Sequence, residues 1–270
     1  MAMNETAYAK INLALHIRKR REDGYHELET LFAFVDNGDH LSAAYSSEDR
    51  VTVHGEFLAA LNNPFDNIVA KALGQLPRSE GLSIELEKRL PVAAGLGGGS
   101  ADAGAVFRFI RDMHGLPDDW LERAARLGAD VPACVESRAC IGRGTGTELL
   151  AIENDLAGTS VLLVNPRVPL ATGPVFAAWD GLDRGPMPEG HPSQIAKHGR
   201  NDLEAPAISL CPEIADVLVF LRETDADLVR MSGSGATCFA LYSNDETLQA
   251  AARRCASQHS DWWQMSGKLR

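Results

Sequence analysis

Basic residues are scarce in this sequence. It carries 26 Lys and Arg against 37 Asp and Glu, which gives a formal net charge of −11. A general nucleic-acid binder needs a basic surface to meet the phosphate backbone, so no nucleic-acid partner is expected. A local site for a small anion stays open. No stretch is apolar for long enough to span a bilayer, and the N-terminus has no signal-peptide pattern, so the sequence predicts a cytoplasmic protein with no membrane partner.

Metal-binding and redox patterns are also lacking. The five cysteines are an odd number and form no CxxC pair, which argues against zinc and disulfide chemistry. Scattered free thiols suit a reducing compartment. The eight histidines show no HExxH or other ligand spacing, so metal ligands stay unassigned. Asp102 could help to hold a metal, but it also suits the first turn of a helix.

Three familiar loop motifs are absent. There is no G-x-x-x-x-G-K-[ST], which excludes a P-loop. Ser100 follows the glycines where a dinucleotide-binding G-x-G-x-x-G needs its third glycine, which weighs against a dinucleotide-binding oxidoreductase. Ser232 stands where a G-x-S-x-G nucleophile elbow needs glycine.

The 270 residues suffice for one large domain or two small ones. The first half reads as strands (TAYAKINLALHI, ETLFAFV, HLSAAYS, RVTVHG, LSIELEK) with helices in DNIVAKALGQL, GSADAGAVFRFIRDMHG and PDDWLERAARLG. The second half alternates strands and helices after a long Gly- and Pro-rich loop over residues 180–202. This order predicts an α+β protein of two domains, 1–155 and 156–270.

Glycine is concentrated in the stretch PVAAGLGGGSADAG, where four of the five positions from Gly95 to Gly99 are glycine. A strand precedes the stretch and a helix follows, with Ser100 as the expected N-cap. Bare glycine N–H groups at a helix start form a cradle for an anion, and phosphate is the expected anion. The alternative is a tight turn that lets the helix pack close to the sheet.

Further motifs accompany this loop along the chain: AKINL with Lys10, DGYH with Tyr25 and His26, GADVP with Asp130, and MSGSG at residues 231–235. In this order they resemble the motifs of the galactokinase, homoserine kinase, mevalonate kinase and phosphomevalonate kinase superfamily. Within it, the pairing of AKINL, DGYH and GADVP is similar to the kinases that phosphorylate a CDP-linked methylerythritol. The resemblance spans nearly the whole chain.

The resemblance implies that Lys10 and Asp130 form the catalytic pair of a phosphoryl transfer, in which positioning and charge stabilisation matter most. A carboxylate can orient the attacking hydroxyl and accept its proton. Without the resemblance, Asp130 could be a helix-terminus residue and Lys10 an exposed strand residue, since the spacing does not bring them together.

It also implies two binding surfaces. Tyr25 and His26 would hold the cytosine ring, although they could instead form a turn with a half-buried Tyr. Asn67 and Lys88 would lie near adenine, although they could be an N-cap and a solvated strand residue. The predicted ATP-binding residues are Asn67, Lys88, Pro91, Val92, Ala93, Ala94, Gly95, Leu96, Gly97, Gly98, Gly99, Ser100 and Ala101, and the predicted substrate-binding residues are Asn12, Tyr25, His26, Thr172, Gly233, Ser234 and Gly235.

Some of these assignments have equal alternatives. Thr172 could be a helix N-cap, and Gly233 to Gly235 could form a strand-end turn.

Asn201 and Asp202 would brace the site. Cys134 is expected in the core rather than as a nucleophile, because no His is near it in sequence.

The implied fold is an N-terminal ribosomal-protein-like α/β domain with a left-handed βαβ crossover and a C-terminal ferredoxin-like domain, with the active site in the cleft between them. The implied activity is ATP- and Mg²⁺-dependent phosphorylation of the 2-hydroxyl of 4-diphosphocytidyl-2-C-methylerythritol, a step of non-mevalonate isoprenoid synthesis. The alternatives are a sister kinase for homoserine or a mevalonate derivative, and a nucleotide sensor without catalysis. The oligomeric state is not predicted.

Overall fold

The computed structural model describes residues 3–60 and 67–270. The first sheet is built on a long antiparallel hairpin of β1 (Met3–Arg20) and β2 (His26–Ser46). Its turn is closed by Gly24, which has φ +86°, and by the Asp23 carboxylate, which accepts the Tyr25 N–H at 3.0 Å. ETLFAFV and HLSAAYS, predicted as two strands, are one strand of 21 residues, because the turn-favouring residues 36–39 between them form a bulge in the pairing with β1 and do not end it.

The rest of the first sheet flanks this hairpin. β4 (Gly81–Glu87) pairs antiparallel with β2 and parallel with β3 (Arg50–His54), and α1 (Ile68–Gln75) makes the crossover between β3 and β4. On the other side, β2 pairs with β5 (Cys140–Arg143), which forms a hairpin with β6 (Glu148–Ala151) through a Gly-containing turn. The βαβ crossover is therefore present, and its left-handedness stays a prediction.

Three helices join α1 on the outer face of this sheet. They are α2 (Gly98–His114), α3 (Trp120–Leu127) and α4 (Val131–Glu136), and the four helices share one buried core with the sheet. Helix α3 begins at Trp120 rather than at the preceding Pro-Asp-Asp, which forms a turn. Helix α2 begins two residues before the predicted N-cap Ser100, because Gly97 takes the left-handed conformation at φ +60° and serves as N-cap.

The second sheet has strand order β10-β7-β9-β8 and is antiparallel throughout. Its strands are β7 (Ser160–Asn165), β8 (Leu228–Met231), β9 (Cys238–Tyr242) and β10 (Trp263–Lys268). Helices α8 (Glu213–Arg222) and α9 (Asp245–Gln258) complete a β-α-β-β-α-β order. This order and antiparallel pairing are those of the predicted ferredoxin-like fold.

Short helices fill the connections of the second half: α5 (Thr172–Ala177), α6 (Pro192–His198) and α7 (Glu204–Leu210). Helix α6 lies inside the segment predicted as a loop, and Pro192 begins it, a position where proline suits a helix. The prediction of a loop was therefore wrong for this part. Two contacts hold the segment before α6 against β1 and β2. The Arg18 guanidinium donates to the Asp183 carboxylate, and the Met187 N–H donates to the Glu29 carboxylate.

The two sheets pack face to face, so the layers run helix, sheet, sheet, helix. The central layer of side chains comes from β1 and β2 on one side and from β7, β9 and β10 on the other. This explains why residues 9–17 of β1 are all buried: the middle of the strand is covered on both faces. Strands of the first sheet end at Ala151 and those of the second begin at Ser160, while the exact domain bounds stay a prediction.

All five cysteines are free and buried. Cys134 lies in α4 against α2, where burial raises the pKa of its thiol. It is a core residue, as expected. Among the described residues, no helix is both long and apolar enough to cross a membrane.

Gly104 allows α2 and α4 to touch. A Cβ at Gly104 would lie 2.5 Å from the Cys134 carbonyl oxygen. We expect Gly104→Ala to lower the free energy of unfolding by about 1–3 kcal/mol, the usual cost of overpacking, in denaturant titrations. Gly74→Ala in α1 is the matched control, because a Cβ there meets nothing within 4 Å. That change should raise stability by about 0.5–1 kcal/mol, and equal effects of the two changes would contradict the close-packing argument.

Candidate active site

Lys10 and Asp130 meet across 120 residues of sequence. The Lys10 Nζ lies 2.9 Å from the Asp130 Oδ2, and the two side chains are 5% and 34% exposed. Lys10 is therefore not an exposed strand residue. Asp130 does occupy the N-cap position of α4, as the alternative proposed, but its side chain caps no N–H of that helix. The carboxylate instead faces the lysine and remains partly open to solvent.

Lys10 is held in place by a chain of buried polar groups. Its Nζ also donates to the Asn12 Oδ1 at 3.0 Å, which confirms that these two side chains share one face of β1. The Asn12 Nδ2 donates to the Thr30 Oγ1 at 2.7 Å, and that hydroxyl donates to the Ala14 carbonyl at 2.7 Å. The pairing of β1 with β2 shifts register between Tyr8 and Lys10 and again between Asn12 and Ala14. β-Bulges of this kind redirect side chains, and here one bulge precedes Lys10 and the other follows Asn12.

The glycine-rich loop lies directly against Lys10. Gly95 and Gly97 have φ of +75° and +60°, a region that only glycine enters without strain. A Cβ at Gly97 would stand 3.0 Å from the Lys10 Cε, and one at Gly95 would stand 2.3 Å from the Ser232 carbonyl oxygen. The Lys10 N–H donates to the Leu96 carbonyl at 2.9 Å. The loop glycines thus permit close approach of three backbone segments, while α2 presents its N-terminal N–H groups beside them.

The segment MSGSG closes the other side of the loop. The Ser232 hydroxyl donates to the Gly95 carbonyl at 2.8 Å and accepts the Asn12 N–H at 3.2 Å. The Thr237 N–H donates to the Ala94 carbonyl at 3.1 Å. The two Gly-rich turns therefore face each other, as the resemblance implied. Asn201 braces this arrangement, because its Nδ2 donates to the carbonyls of residues 231 and 233 at 2.8 Å each.

A cavity of about 790 Å³ opens between these elements. The sequence-predicted residues that line it are Lys10, Asn12, Tyr25, His26, Ala93, Ala94, Gly95, Gly97, Gly98, Gly99, Ser100, Asp130, Thr172, Gly233 and Ser234. One wall thus carries the ion pair and the glycine loop, and another carries the turn that follows β1.

The remaining predicted residues are not on the cavity wall: Asn67, Lys88, Pro91, Val92, Leu96, Ala101 and Gly235. Leu96 is buried in the core between the two sheets. The Asn67 side chain accepts the Val69 N–H at 2.8 Å and caps α1, which was its alternative interpretation. Lys88 is neither at the cavity surface nor solvated, since it is 3% exposed and paired with two carboxylates.

Tyr25 and His26 occupy one end of the cavity. Tyr25 is 65% exposed, so the alternative of a half-buried tyrosine is wrong, whereas His26 is 7% exposed. The Arg20 Nε donates to the His26 Nε2 at 3.3 Å, and burial together with this guanidinium lowers the pKa of His26. His26 is therefore neutral near pH 7, with its ring packed 5.0 Å from that of Phe176.

Thr172 lies on the same side of the cavity as the second Gly-rich turn. Its hydroxyl is 3.0 Å from that of Ser234. Thr172 is the first residue of α5 and Ala171 is the N-cap, so the alternative of a threonine N-cap is wrong.

Several residues on the wall were not predicted from the sequence, among them Leu28, Thr30, Phe32, Arg20 and Phe176. Leu28, Thr30 and Phe32 alternate along β2, on the same face of the sheet as Lys10 of β1. That period of two is a sequence signal from which they could have been predicted. The Lys10 ammonium lies 4.9 Å from the centre of the Phe32 ring, a cation–π distance. Arg20 and Phe176 become neighbours only through the fold.

Asp102 is not available at the cavity as a metal ligand. It lies in the second turn of α2 rather than the first, is 2% exposed, and pairs with Lys88. Among the described residues, no group of three or more His, Cys, Asp or Glu side chains could hold a metal ion.

Two family models match this chain. The model of the GHMP kinases N terminal domain matches residues 65–138, and that of the GHMP kinases C terminal domain matches residues 188–261. A protein of Novosphingobium aromaticivorans named 4-diphosphocytidyl-2-C-methyl-D-erythritol kinase is 67% identical over all of this chain and 94% of its own length. One of the same name from Erythrobacter litoralis is 63% identical over 99% of each chain.

The chain belongs to the GHMP kinase family. A crystal structure of 4-(cytidine 5'-diphospho)-2C-methyl-D-erythritol kinase covers 99% of each chain with a TM-score of 0.80 and 32% identity. A homoserine kinase from Cytophaga hutchinsonii, at 17% identity and a TM-score of 0.67 over 99% of this chain and 95% of its own, shares the fold. The resemblance inferred from the motifs is confirmed, as are the two-domain α+β fold and the assignment as an ATP-dependent small-molecule kinase.

Thr30 provides a test of the polar chain behind Lys10. We expect Thr30→Val to lower the free energy of unfolding by about 1–3 kcal/mol, because the Asn12 amide and the Ala14 carbonyl lose their shared buried partner. Turnover should fall as well, since Asn12 then no longer fixes the ammonium. Thr30→Ser keeps the hydroxyl and should retain most of both properties. Denaturant titration with steady-state kinetics measures this, and a Val variant as active as the Ser variant would contradict it.

Proposed function

We propose that this GHMP kinase phosphorylates the 2-hydroxyl of 4-diphosphocytidyl-2-C-methyl-D-erythritol with ATP, in the cytoplasm, as a step of non-mevalonate isoprenoid synthesis. The supporting observation is a single cavity in which a Lys–Asp pair lies between a glycine-rich helix start and an aromatic- and histidine-bearing turn. The names of relatives at 67% and 63% identity support the same substrate.

The glycine loop binds the polyphosphate of ATP in this proposal. Backbone N–H groups at the start of α2 point to the anion without side chains in the way, and the helix dipole favours negative charge there. The Lys10 side chain, which packs against Gly97, adds a positive charge on the cavity wall. An acidic protein can thus bind a polyanion through a local site.

Asp130 acts as the base for the attacking hydroxyl. Its Oδ2 is fixed by Lys10 at 2.9 Å, and the partly exposed carboxylate faces the cavity where an acceptor alcohol must lie. The carboxylate orients the hydroxyl and accepts its proton as the bond to phosphorus forms. Lys10 stabilises the negative charge on the transferred group, which in a loose transition state is spread over its equatorial oxygens.

Mg²⁺ fits this cavity as an ion held mainly by nucleotide. In proteins it keeps several waters and is bound through few protein oxygens together with substrate phosphates. The Ser100 hydroxyl, on the cavity wall near the start of α2, is an oxygen group that would hold it. When bound, the ion neutralises the charge on the phosphate oxygens.

The cytidine end lies with Tyr25 and His26. An exposed aromatic ring offers a face for stacking a base, and the neutral imidazole, whose Nε2 accepts from Arg20, offers its Nδ1–H as a donor to the base edge. A kinase for homoserine or mevalonate has no use for such a surface. We therefore favour the CDP-alcohol over these acceptors.

The deciding measurement is ADP release by the purified protein with ATP and Mg²⁺, with CDP-methylerythritol, homoserine or mevalonate as the acceptor. We expect release with the CDP-alcohol alone. Release with another acceptor would keep the kinase assignment and reject the cytidine site. Binding of ATP without release for any acceptor would favour the nucleotide sensor.

Asp130→Asn tests the base directly. We expect turnover to fall by about 10²- to 10⁴-fold, the usual contribution of a general base, while ADP affinity stays unchanged. Glu136→Gln removes an exposed carboxylate from the other end of the same helix and should leave both quantities unchanged. Wild-type turnover in Asp130→Asn would remove this residue from the mechanism.

A further inference from the structure

Three buried ionisable groups lie beneath the glycine loop and take no part in the mechanism above. They are Asp39 of β2, Lys88 just after β4, and Asp102 of α2, which are 0%, 3% and 2% exposed. The Lys88 ammonium donates to both carboxylates: to the Asp39 Oδ2, and to the Asp102 Oδ2 at 2.8 Å. We call these three residues the buried triad.

The buried triad joins the segment before the loop to the helix after it. Besides Lys88, the Asp39 carboxylate accepts the backbone N–H groups of Arg89 at 2.6 Å and Leu90 at 2.8 Å through its Oδ1. These residues lead directly into Pro91 and the glycines. Lys88 then connects the same carboxylate to Asp102, one turn inside α2. Both ends of the loop are thus fixed to one chain of three side chains.

This chain lies directly below a residue of the cavity wall. A Cβ placed on Gly98 would be 3.5 Å from the Lys88 Nζ and 3.7 Å from the Asp39 Oδ2. Gly98 is the first residue of α2 and lines the cavity. A displacement of the Lys88 ammonium would therefore shift Gly98, at the start of the helix that binds the phosphates in the proposed function.

The charges of the triad balance only if one carboxylate is neutral. Asp39 receives three donors, which satisfies an anion, whereas Asp102 receives one from Lys88, and its Oδ1 is buried without a hydrogen-bond partner among the described residues. Burial raises the pKa of Asp102 to about 8, despite the opposing attraction of Lys88, and the charge of Asp39 adds to the rise. An asparagine at position 102 would have the same shape and charge as a neutral Asp102.

We propose that the buried triad is a positioning device for the phosphate-binding loop, in which Lys88 and Asp102 act on nucleotide affinity through Gly98 and the start of α2 without touching the nucleotide. This inference deepens the proposed function and rests on it for the identity of the ligand. It differs from the role expected from the sequence, in which Lys88 lies near adenine. The geometry requires the connection between Asp102 and Lys88, not a charge on Asp102.

The test compares Asp102→Ala with Asp102→Asn. Alanine removes the connection to α2 but leaves Lys88 paired with Asp39, so the protein should still fold. Asparagine keeps an oxygen acceptor for the Lys88 ammonium. We expect Asp102→Ala to weaken ADP binding, measured by titration calorimetry, by about tenfold, because sub-ångström displacement of positioning groups has effects of this order. Asp102→Asn should restore binding to within about twofold of wild type.

Arg78→Met is the matched control for lost stability. Arg78 is also a largely buried cation, with a side chain 7% exposed that donates to carbonyls at the end of α1 and to Asp49, and it is not on the cavity wall. Its melting temperature should fall while ADP affinity stays unchanged. If Asp102→Ala lowers the melting temperature in the same way and leaves ADP affinity within about twofold of wild type, the triad is structural only and the inference is overturned.

Kinetic constants separate this inference from the proposed function. Asp102→Ala should raise the KM for ATP by a factor similar to the loss of ADP affinity, with the KM for the CDP-alcohol unchanged. An equal rise in both KM values would overturn the inference, because it would indicate a general loosening of the cavity. If the wild-type protein transfers no phosphate to the CDP-alcohol but ADP affinity still follows the triad, the inference stands and the proposed substrate fails.

Discussion

The site depends on one constraint, the close approach of the glycine loop to β1. The Lys10 N–H reaches the Leu96 carbonyl, and a side chain at Gly97 would press on the methylene groups of the same lysine. Leu96 meanwhile anchors the loop in the core between the two sheets. The backbone of the glycine loop and the Lys10 cation beside it are therefore positioned by the same approach of the loop to β1. A larger residue at position 97 would separate them, and one at position 95 would press on the Ser232 carbonyl.

The second half of the chain completes this arrangement from the opposite side. Ser232 bridges the loop and β1 with one hydroxyl, and Asn201 fixes the carbonyls on either side of that serine. Because the two sheets share a buried layer, the second Gly-rich turn is held rigidly against the first. The cavity is thus formed by both halves, and neither half alone presents the complete wall.

Much of this could be predicted from local sequence. Glycine density marks the loop and period-two alternation marks the strands, because both patterns follow from local backbone geometry. The pairing of Lys10 with Asp130 could not be derived in this way, since no local rule relates residues 120 positions apart. The resemblance supplied it. The N-cap of α2 was placed three residues late, at Ser100, because a left-handed Gly97 can cap a helix without a side-chain hydrogen bond.

The burial of Lys88 could not be predicted from the sequence. A lysine after an amphipathic strand is ordinarily solvated, and the nearby carboxylates, Asp39 and Asp102, lie 49 and 14 positions away. Only the packing of β2, β4 and α2 shows that this ammonium is surrounded by protein. Removing a partner from a buried ion pair is costly, because the remaining charge is left without compensation.

The chain therefore contains two lysine–carboxylate systems within reach of one loop, and solvent access separates their roles. Asp130 keeps a third of its side-chain surface open, so its carboxylate can accept a hydrogen bond from a hydroxyl in the cavity while Lys10 holds its Oδ2. Asp39 and Asp102 are sealed, so their carboxyl groups have no route to substrate and can act only on the shape of the loop. A preorganised anion site gains from such a division, because the donors that meet developing charge need not reorganise during the reaction. The exposed pair is suited to chemistry and the buried triad to holding the geometry in which that chemistry occurs.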